Sequence, residues 1–249
     1  MQSEKYLILS DIHGNLSAFE AVLDDCAGED FAGVLLLGDV IDYGMRSNEI
    51  VRRLMELSQG PWKGRVLANI WGNHEKLVVD RDYERLSSDR GRVMAKYTLR
   101  QLSDGSIDYI RHSMVRAGIQ AVMLGGLKGL ALHGSLEDTY WKSVCPEDVR
   151  GDYADYDLVF SGHSHYSHCF TKFYPIDDPA LRNKKAVTFI NPGSVGQPRN
   201  QNPCAQYAVL TLPQRRVELR AVGYDIEYEQ SLYPEEIDPF YKTRLTRGV

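Results

Sequence analysis

The chain has 249 residues and a formal net charge of -5, with 29 Lys and Arg against 34 Asp and Glu. A hydrophobic fraction of 43% with 25% charged residues is ordinary for a globular protein, and the length allows a core that needs no disulfides. The acidic balance argues against broad or stable binding to nucleic acid. It does not exclude a nucleotide substrate, because bound divalent cations can reverse the local charge.

The four cysteines, Cys26, Cys145, Cys169 and Cys204, are scattered and form no C-x-x-C pair. The sequence therefore predicts reduced structural thiols rather than a zinc ribbon or a redox motif. The first residues lack the apolar core of a signal peptide, and no apolar run reaches membrane-spanning length. We expect a cytoplasmic protein without membrane association.

In the first third of the chain, three short apolar runs each end in polar side chains that can bind metal. Tyr6–Leu9 precedes Asp11 and His13, Val34–Leu37 precedes Asp39 and Asp42, and Val66–Trp71 precedes Asn73, His74 and Glu75. Amphipathic helical patterns follow the first two runs. In α/β sheets ligands bind at the carboxyl ends of the strands, so three such ends in succession predict a shared site.

The middle of the chain is predicted to be helical and then to form a β-hairpin. Residues 76–117 read as mostly helical, and they either cap the site or present a solvated face. Ile119–Leu124 and Leu127–Leu132 are β-like runs joined by Gly125-Gly126, which is a hairpin signal, and the second run ends at His133.

The pentapeptide SGHSH, residues 161–165, follows another apolar run, Leu158–Phe160. In extended backbone alternate side chains point to the same side, so we expect His163 and His165 to reach one point. Gly162 allows the backbone to bend close to a bound ion. A single His-x-His pair is weak evidence for a metal site. The other polar residues that follow predicted strands make that interpretation stronger here.

The last third of the chain is predicted to be mostly antiparallel β-structure. Strands are expected at residues 169–174, 186–190, 207–212 and 217–222. The connection 174–185 is either an exposed loop insertion or a contact for substrate or a partner. Residues 224–249 are predicted to form a short helix and a surface tail. Without internal repeats or a clear linker, we expect one domain spanning residues 1–249.

The side chains that follow predicted strands form a donor set typical of a metal centre. They are Asp11, His13, Asp39, Asn73, His74, His133, His163 and His165. Carboxylate, imidazole and amide donors without thiolates suit first-row divalent metals. The set is too large for one ion, and a carboxylate such as Asp39 can bridge two, an arrangement suited to displacement at phosphorus. His112 and His168 lie outside these turns and are predicted to be ordinary histidines.

The ordered series of motifs resembles the signature of the calcineurin-like metallophosphoesterase superfamily. The motifs are DIH at 11–13, GDVID at 38–42, GNHE at 72–75, HG at 133–134 and GHSH at 162–165. The resemblance implies an α/β fold, a two-sheet β-sandwich flanked by α-helices in four αββα layers. DIHGN, GDVIDYG and NPGSVGQPR are similar to stretches of small bacterial and archaeal phosphoesterases. Asp42-Tyr43-Gly44 replaces the Asp-Arg-Gly of protein phosphatases and diadenosine tetraphosphate hydrolases, which counts against both.

The resemblance also implies a role for each motif residue. The first metal would be held by Asp11, His13, Asp39 and His165, and the second by Asp39, Asn73, His133 and His163. The metals would be two divalent transition ions, Mn, Fe, Ni or Zn. A hydroxide bridging them, with Asp39 as the shared ligand, would attack phosphorus. His74 would protonate the leaving oxygen as general acid, with Asp42 as its orienting partner.

Three further residues are candidates for substrate contact, Asn15, Tyr43 and Arg199. Arg199 ends the loop 191–199, where it either reaches a phosphate or lies on the surface beyond a tight inter-strand turn. The expected activity is hydrolysis of a small phosphodiester or phosphomonoester, with nucleotides among the candidates. The alternative is a non-catalytic metal-binding scaffold or regulatory protein on the same fold.

Overall fold

The structure, a computed structural model, describes residues 3–249. The strands are β1 Glu4–Leu9, β2 Phe31–Leu36, β3 Val66–Asn69, β4 Ile119–Leu124, β5 Leu127–Leu132, β6 Leu158–Phe160, β7 His168–Pro175, β8 Lys184–Asn191, β9 Ala205–Leu212 and β10 Arg216–Val222. The helices are α1 Leu16–Asp25, α2 Ser47–Gln59, α3 Asn73–Val79, α4 Asp89–Gln101, α5 Asp104–Ser113, α6 Ile226–Ser231 and α7 Phe240–Thr243. Short 3-10 turns cover Tyr83–Arg85, Pro179–Leu181 and Arg244–Thr246.

The strands form two mixed five-stranded sheets. The first has the order β10-β9-β1-β2-β3, in which β1, β2 and β3 run parallel. The second has the order β4-β5-β6-β8-β7, in which β5, β6 and β8 run parallel. The two-sheet architecture flanked by helices is thereby confirmed. Both sheets thus present a set of parallel carboxyl ends, where loops can carry polar groups.

Strand β1 is buried on both faces, and its side chains alternate between two cores. Tyr6 and Ile8 lie in the core between the sheets, whereas Leu7 and Leu9 pack on the helical side of the first sheet. A period of two places successive residues on opposite faces, which explains the continuous apolar run. Each fully buried aliphatic side chain contributes roughly 1.5–3 kcal/mol, so the register of β1 is strongly determined.

Different structures cover the outer faces of the two sheets. Helices α1, α2, α3, α4 and α5 contribute residues such as Phe19 and Ile50 to the core outside the first sheet. The outer face of the second sheet packs instead against Val144 and Tyr153 from the chain between β5 and β6. In the described part of the chain, residues 133–157 contain turns and bends but no helix. The fourth layer of the sandwich is therefore irregular chain.

The prediction of a surface tail after residue 224 is wrong. Tyr233, Ile237, Tyr241 and Leu245 are buried and form a cluster with Met94 of α4. These four residues recur at every fourth position, a spacing compatible with a helix, but Pro234 and Pro239 lie between them and interrupt any continuous helix. Their aromatic and aliphatic side chains nevertheless supply enough apolar surface to dock the segment on the body of the protein.

Two other features bear on the sequence predictions. All four cysteines are free, as expected for reduced thiols. The connection between β7 and β8 contains the 3-10 turn Pro179–Leu181, and the exposed Leu181 lies on it. Within residues 3–249, no helix combines the length and apolar character that crossing a membrane requires.

Candidate metal centre

The predicted metal-binding residues meet at the carboxyl ends of strands from both sheets. One group comprises Asp11, His13, Asp39 and His165, and the other comprises Asp39, His133 and His163. Within each group the potential ligand atoms all lie within 4.8 Å of one another, and Asp39 belongs to both. The two groups are therefore adjacent and share one carboxylate.

The loops that carry these residues adopt an unusual backbone conformation. Asp11, His13, Asp39, His163 and His165 all have positive φ, between 49° and 63°. Left-handed backbone is disfavoured for residues other than glycine, and each such residue costs on the order of 1 kcal/mol or more unless its surroundings fix it. Five together at one site indicate that the surrounding structure is organised to hold these side chains in place.

The conformation of SGHSH differs from the prediction. His163 and His165 are in left-handed rather than extended backbone, and they belong to different groups. The two imidazoles therefore do not reach a single point; each serves one of two adjacent positions. Gly162 makes this possible through a close approach, because a Cβ there would lie 2.1 Å from Ser10 Oγ.

Main-chain carbonyls fix the orientation of three imidazoles. The Nδ1 atoms of His13, His133 and His165 lie 3.2, 2.7 and 2.5 Å from the carbonyl oxygens of Ile41, Leu37 and Gln197 respectively. A carbonyl can only accept, so each Nδ1 donates its proton and each Nε2 turns a lone pair toward the site. This second contact of the ring is typical of metal-binding histidines.

The first group contains electron-rich atoms that face each other without a proton between them. The Nε2 atoms of His13 and His165 are 3.2 Å apart, and Asp11 Oδ1 is buried without a hydrogen-bond partner. Burial lowers the pKa of both imidazoles, so they are neutral, as metal ligands must be. Facing lone pairs beside a free carboxylate oxygen fit a divalent cation.

The second group is completed by an amide oxygen. Asn73 Oδ1 lies 3.0 Å from His133 Nε2 and 2.8 Å from His163 Nδ1, and His133 Nε2 lies 3.3 Å from Asp39 Oδ2. Burial opposes protonation of His133, but the charges of Asp39 and Asp11 raise its pKa to about 9. The position therefore attracts a positive charge, which a metal ion would supply.

Glu75 holds the loop that carries Asp39. Its buried carboxylate accepts hydrogen bonds from the main-chain N–H groups of Asp39, Val40 and Gly72, at 2.9, 2.8 and 2.7 Å. Burial and the charge of Asp39 raise the pKa of Glu75 to about 7, against the effect of these amides. The sequence carried a signal for this role, since Glu at the third position of a helix is typical of a capping box. The GNHE motif by itself does not indicate what Glu75 does.

Replacing Glu75 by Gln should weaken both the fold and metal binding. The amide NH2 group would face a main-chain N–H, leaving buried donors unpaired, so we expect a loss of about 1–3 kcal/mol in the free energy of unfolding. Metal affinity should fall roughly 10- to 100-fold, as for other groups that orient ligands. Urea unfolding and metal titration measure the two effects. The exposed Glu235→Gln is the matched control, and equal behaviour of the two variants would contradict this role.

His74 lies beside the two groups and pairs with a carboxylate. Its Nδ1 is 2.7 Å from Asp42 Oδ2, and Asp42 Oδ1 accepts a hydrogen bond of 2.5 Å from Thr98 Oγ1 on α4. Burial opposes protonation of His74, whereas the carboxylates of Asp39 and Asp42, together with the hydrogen bond to Asp42, raise its pKa to about 10. The arrangement leaves Nε2 available to donate a proton. The sequence does not predict the contact of Thr98 with Asp42, because the two residues are far apart along the chain and lie in no common motif.

A cavity of about 400 Å³ opens next to these residues. Its lining includes Asp39, Asn73, His74, His163 and His165, together with Tyr43 and Arg199. The Tyr43 ring lies 4.6 Å from that of His13 and 4.3 Å from that of His74, measured between centroids. Two of the three residues expected to contact substrate therefore face the space in which a substrate would bind.

Asn15, the third residue, has a structural role instead. Its Oδ1 accepts from Ala18 N at the start of α1, and its Nδ2 donates to the Gly196 carbonyl. Asn15 is buried and does not line the cavity. Since both polar atoms are engaged within the protein, Asn15 is unsuited to contact substrate.

The loop 191–199 contributes in a similar way. Asn191 Nδ2 donates to the Gly162 carbonyl, and Ser194 Oγ donates to the Asp11 carbonyl. These contacts hold the loops of Asp11 and His163 against each other. Arg199 is tied to the same assembly, because its main-chain N–H donates to the His165 carbonyl at 3.4 Å. Loop 191–199 is thus a tight turn that also places Arg199 in the wall of the cavity.

Comparison with known proteins is consistent with this geometry. A family model described as the calcineurin-like phosphoesterase superfamily domain matches residues 5–215. The structure of a metallophosphoesterase from Sphaerobacter thermophilus superposes with a TM-score of 0.71 and 28% identity, covering 100% of both chains. An uncharacterized protein of Methanocaldococcus jannaschii is 27% identical over 88% of each chain. Phosphodiesterase YfcE of Escherichia coli is 27% identical over 83% of this chain and 86% of its own.

Proposed function

Because the chain belongs to the calcineurin-like phosphoesterase superfamily, we propose that it is a two-metal phosphoesterase acting as one domain over residues 1–249. Its substrate would be a small phosphodiester or phosphomonoester, with nucleotides among the candidates. The observation that carries the proposal is the sharing of Asp39 by two adjacent groups of potential ligands. A bridging carboxylate is the element that distinguishes a two-metal site from two separate ones.

The residues present suit two first-row divalent metals. Asp11, His13, Asp39 and His165 would hold one ion, and Asp39, Asn73, His133 and His163 the other. Nitrogen and oxygen donors without thiolates are compatible with Mn, Fe, Ni or Zn. When bound, such a pair supplies a nucleophile at neutral pH and stabilises negative charge on the phosphoryl oxygens. The chain's own contribution is to fix the ligands through Glu75 and through the carbonyl contacts of the imidazoles.

His74 would act as the general acid in this reaction. Cleavage of a phosphate ester leaves an alkoxide or aryloxide, which departs more easily when it receives a proton. The contact with Asp42 holds the imidazole ring in place and turns Nε2 toward the cavity. Arg199 would bind the phosphoryl oxygens, and Tyr43 would pack beside the substrate while supporting the rings of His13 and His74.

The diester is the favoured form of the substrate. YfcE, a relative similar over most of the chain, is named a phosphodiesterase. The alternative of a non-catalytic scaffold has less support, since every candidate ligand and His74 are present at the site. A cytoplasmic location is part of the same proposal, as the substrates would be small intracellular phosphate esters.

Metal analysis paired with a hydrolysis assay tests this function. We expect the purified protein loaded with manganese to contain two metal ions per chain and to hydrolyse bis(p-nitrophenyl) phosphate faster than p-nitrophenyl phosphate. Chelation should abolish turnover, and added metal should restore it. Protein that binds no metal under any loading condition would contradict the proposal. Two bound metals without turnover of either compound would favour the scaffold function.

A further inference from the structure

The wall of the cavity that faces the metal centre is rich in arginine. It carries four of these side chains, Arg85, Arg90, Arg199 and Arg244. Among the described residues that line the cavity, Asp39 is the one carboxylate, and it belongs to the metal centre. Such a concentration of positive charge is unexpected on a chain with a net charge of -5. It marks a local preference for anions.

In the described part of the chain, these arginines have no acidic side chain as a partner. Between residues 3 and 249, no acidic side chain forms an ion pair with any of the four. Two cavity-lining donors, Nε of Arg199 and Nε1 of Trp141, are buried without a hydrogen-bond partner. Buried donors are nearly always satisfied, so these two indicate a missing acceptor.

The C-terminal segment positions two of the arginines on an aromatic ring. The guanidinium of Arg90 lies 3.8 Å, and that of Arg244 4.9 Å, from the centroid of Phe240. The segment is fixed in turn, because Tyr241 stacks on Tyr43 at 5.3 Å and Gln201 N donates to the Gly248 carbonyl at 2.8 Å. The two guanidinium groups are therefore held before any ligand arrives.

Arg244 is the most constrained of the four. It is 9% exposed, and its Nε donates to the main-chain oxygen of Val249. Burial and the nearby positive charge of Arg199 lower its pKa to about 10. Placing the buried Arg244 next to the half-buried Arg199 costs free energy, which negative charge bound in the cavity would offset.

We propose that Arg90, Arg244 and Arg85 form a second anion site that selects substrates carrying a further phosphate group besides the one that is hydrolysed. This inference rests on the proposed function. Arg199, which is tied to His165, would serve the reacting phosphate, whereas Arg90 and Arg244 would bind the second one. The guanidinium fork pairs with two phosphate oxygens at once, which a lysine cannot do. The cavity of about 400 Å³ fits a small molecule rather than a protein.

A pair of substrates that differ only in the second phosphate provides the test. The first is thymidine 5′-(p-nitrophenyl phosphate), and the second is the same compound with an added 3′-phosphate. Both release p-nitrophenol on hydrolysis, so one assay measures both. For the protein loaded with manganese, we expect kcat/KM to be about 10- to 100-fold higher for the compound with the second phosphate, mainly through a lower KM.

Substitutions should remove this preference selectively. Arg90→Gln should reduce the preference about tenfold while leaving turnover of the plain diester unchanged, and Arg244→Gln should reduce the preference by a similar factor. Arg90 is exposed, so its variant tests the proposal even if Arg244→Gln fails to fold. Arg247→Gln is the matched control, because Arg247 is exposed in the same segment but does not line the cavity. An equal loss in the control would show a general effect of charge and overturn the proposal.

A binding measurement separates this proposal from the proposed function. Calorimetric titration of the purified protein with thymidine 3′,5′-bisphosphate and with thymidine 5′-monophosphate needs no turnover. We expect tighter binding of the bisphosphate, lost in Arg90→Gln. Turnover of both substrates at equal efficiency would overturn the second anion site and leave the phosphoesterase intact. Selective binding of the bisphosphate without turnover of either substrate would support the site and contradict the enzymatic function.

Discussion

Replacement of Asp39 by Asn should yield a protein that holds at most one metal ion per chain and loses phosphoesterase activity. Asp39 is the carboxylate common to both groups of ligands, and an amide offers one weaker, neutral donor in place of two anionic oxygens. Since metals contribute several kcal/mol to stabilising the transition state, we expect kcat to fall on the order of 10³-fold or more. Elemental analysis and hydrolysis of bis(p-nitrophenyl) phosphate measure the two effects.

The substitution conserves volume, so the fold should persist. Asp39 Oδ1 accepts a hydrogen bond of 2.8 Å from His74 N, and the carbonyl oxygen of Asn can replace it. Asp155→Asn is the matched control, because Asp155 is exposed on irregular chain away from the site. Two tightly held metals in Asp39→Asn, with activity close to that of the control, would contradict the bridging role.

The positions of the candidate ligands could be predicted from sequence because they depend on local signals. An apolar run ends, a polar residue follows, and the parallel arrangement brings successive ends together at one edge. Asp11, Asp39 and His133 each follow a strand in this way. The prediction of an extended conformation for His163 and His165 is wrong, because alternation of side chains holds only in extended backbone and both residues are left-handed. Their left-handed φ is fixed by loop contacts that the local sequence does not specify.

Long-range contacts explain what the sequence could not show. Glu75 is one acidic residue in a motif, and only the fold reveals that its carboxylate binds three amides from two loops. Asn15 was predicted to contact substrate because it lies next to a motif. Its side-chain amide instead hydrogen-bonds to Ala18 N at the start of α1 and to the Gly196 carbonyl. Arg244 lies 45 residues beyond Arg199 in sequence, and packing of the C-terminal cluster is required to bring it to the same cavity.

The C-terminal segment thus connects the packing of the fold with the site. Phe240, Tyr241 and Arg244 reach the cavity only because Tyr233, Ile237 and Leu245 are buried behind them. The Tyr241 ring stacks on Tyr43, which in turn contacts His13 and His74. A segment predicted to be a surface tail therefore supports the aromatic contacts of His13 and His74 and forms part of the wall of the proposed substrate cavity.

For His74→Ala, we expect a loss of activity that depends on the leaving group. Metal content should stay at the wild-type level, because His74 is not among the residues that converge as ligands. Removing a general acid lowers the rate by about 10²–10⁴-fold when the leaving alkoxide needs a proton. The loss should be much smaller for p-nitrophenolate, which is stable as an anion.

Hydrolysis of methyl p-nitrophenyl phosphate and of a dialkyl ester, compared in one variant, separates a general acid from a structural histidine. A structural defect slows both substrates alike, whereas loss of the acid slows the dialkyl ester selectively. His112→Ala serves as the control, since the His112 ring is exposed on α5 and contacts only the carbonyl of Asp108 in its own helix. Equal losses on both substrates would assign His74 to holding Tyr43 and Asp39 in place, and the proton would then have to come from another donor at the cavity.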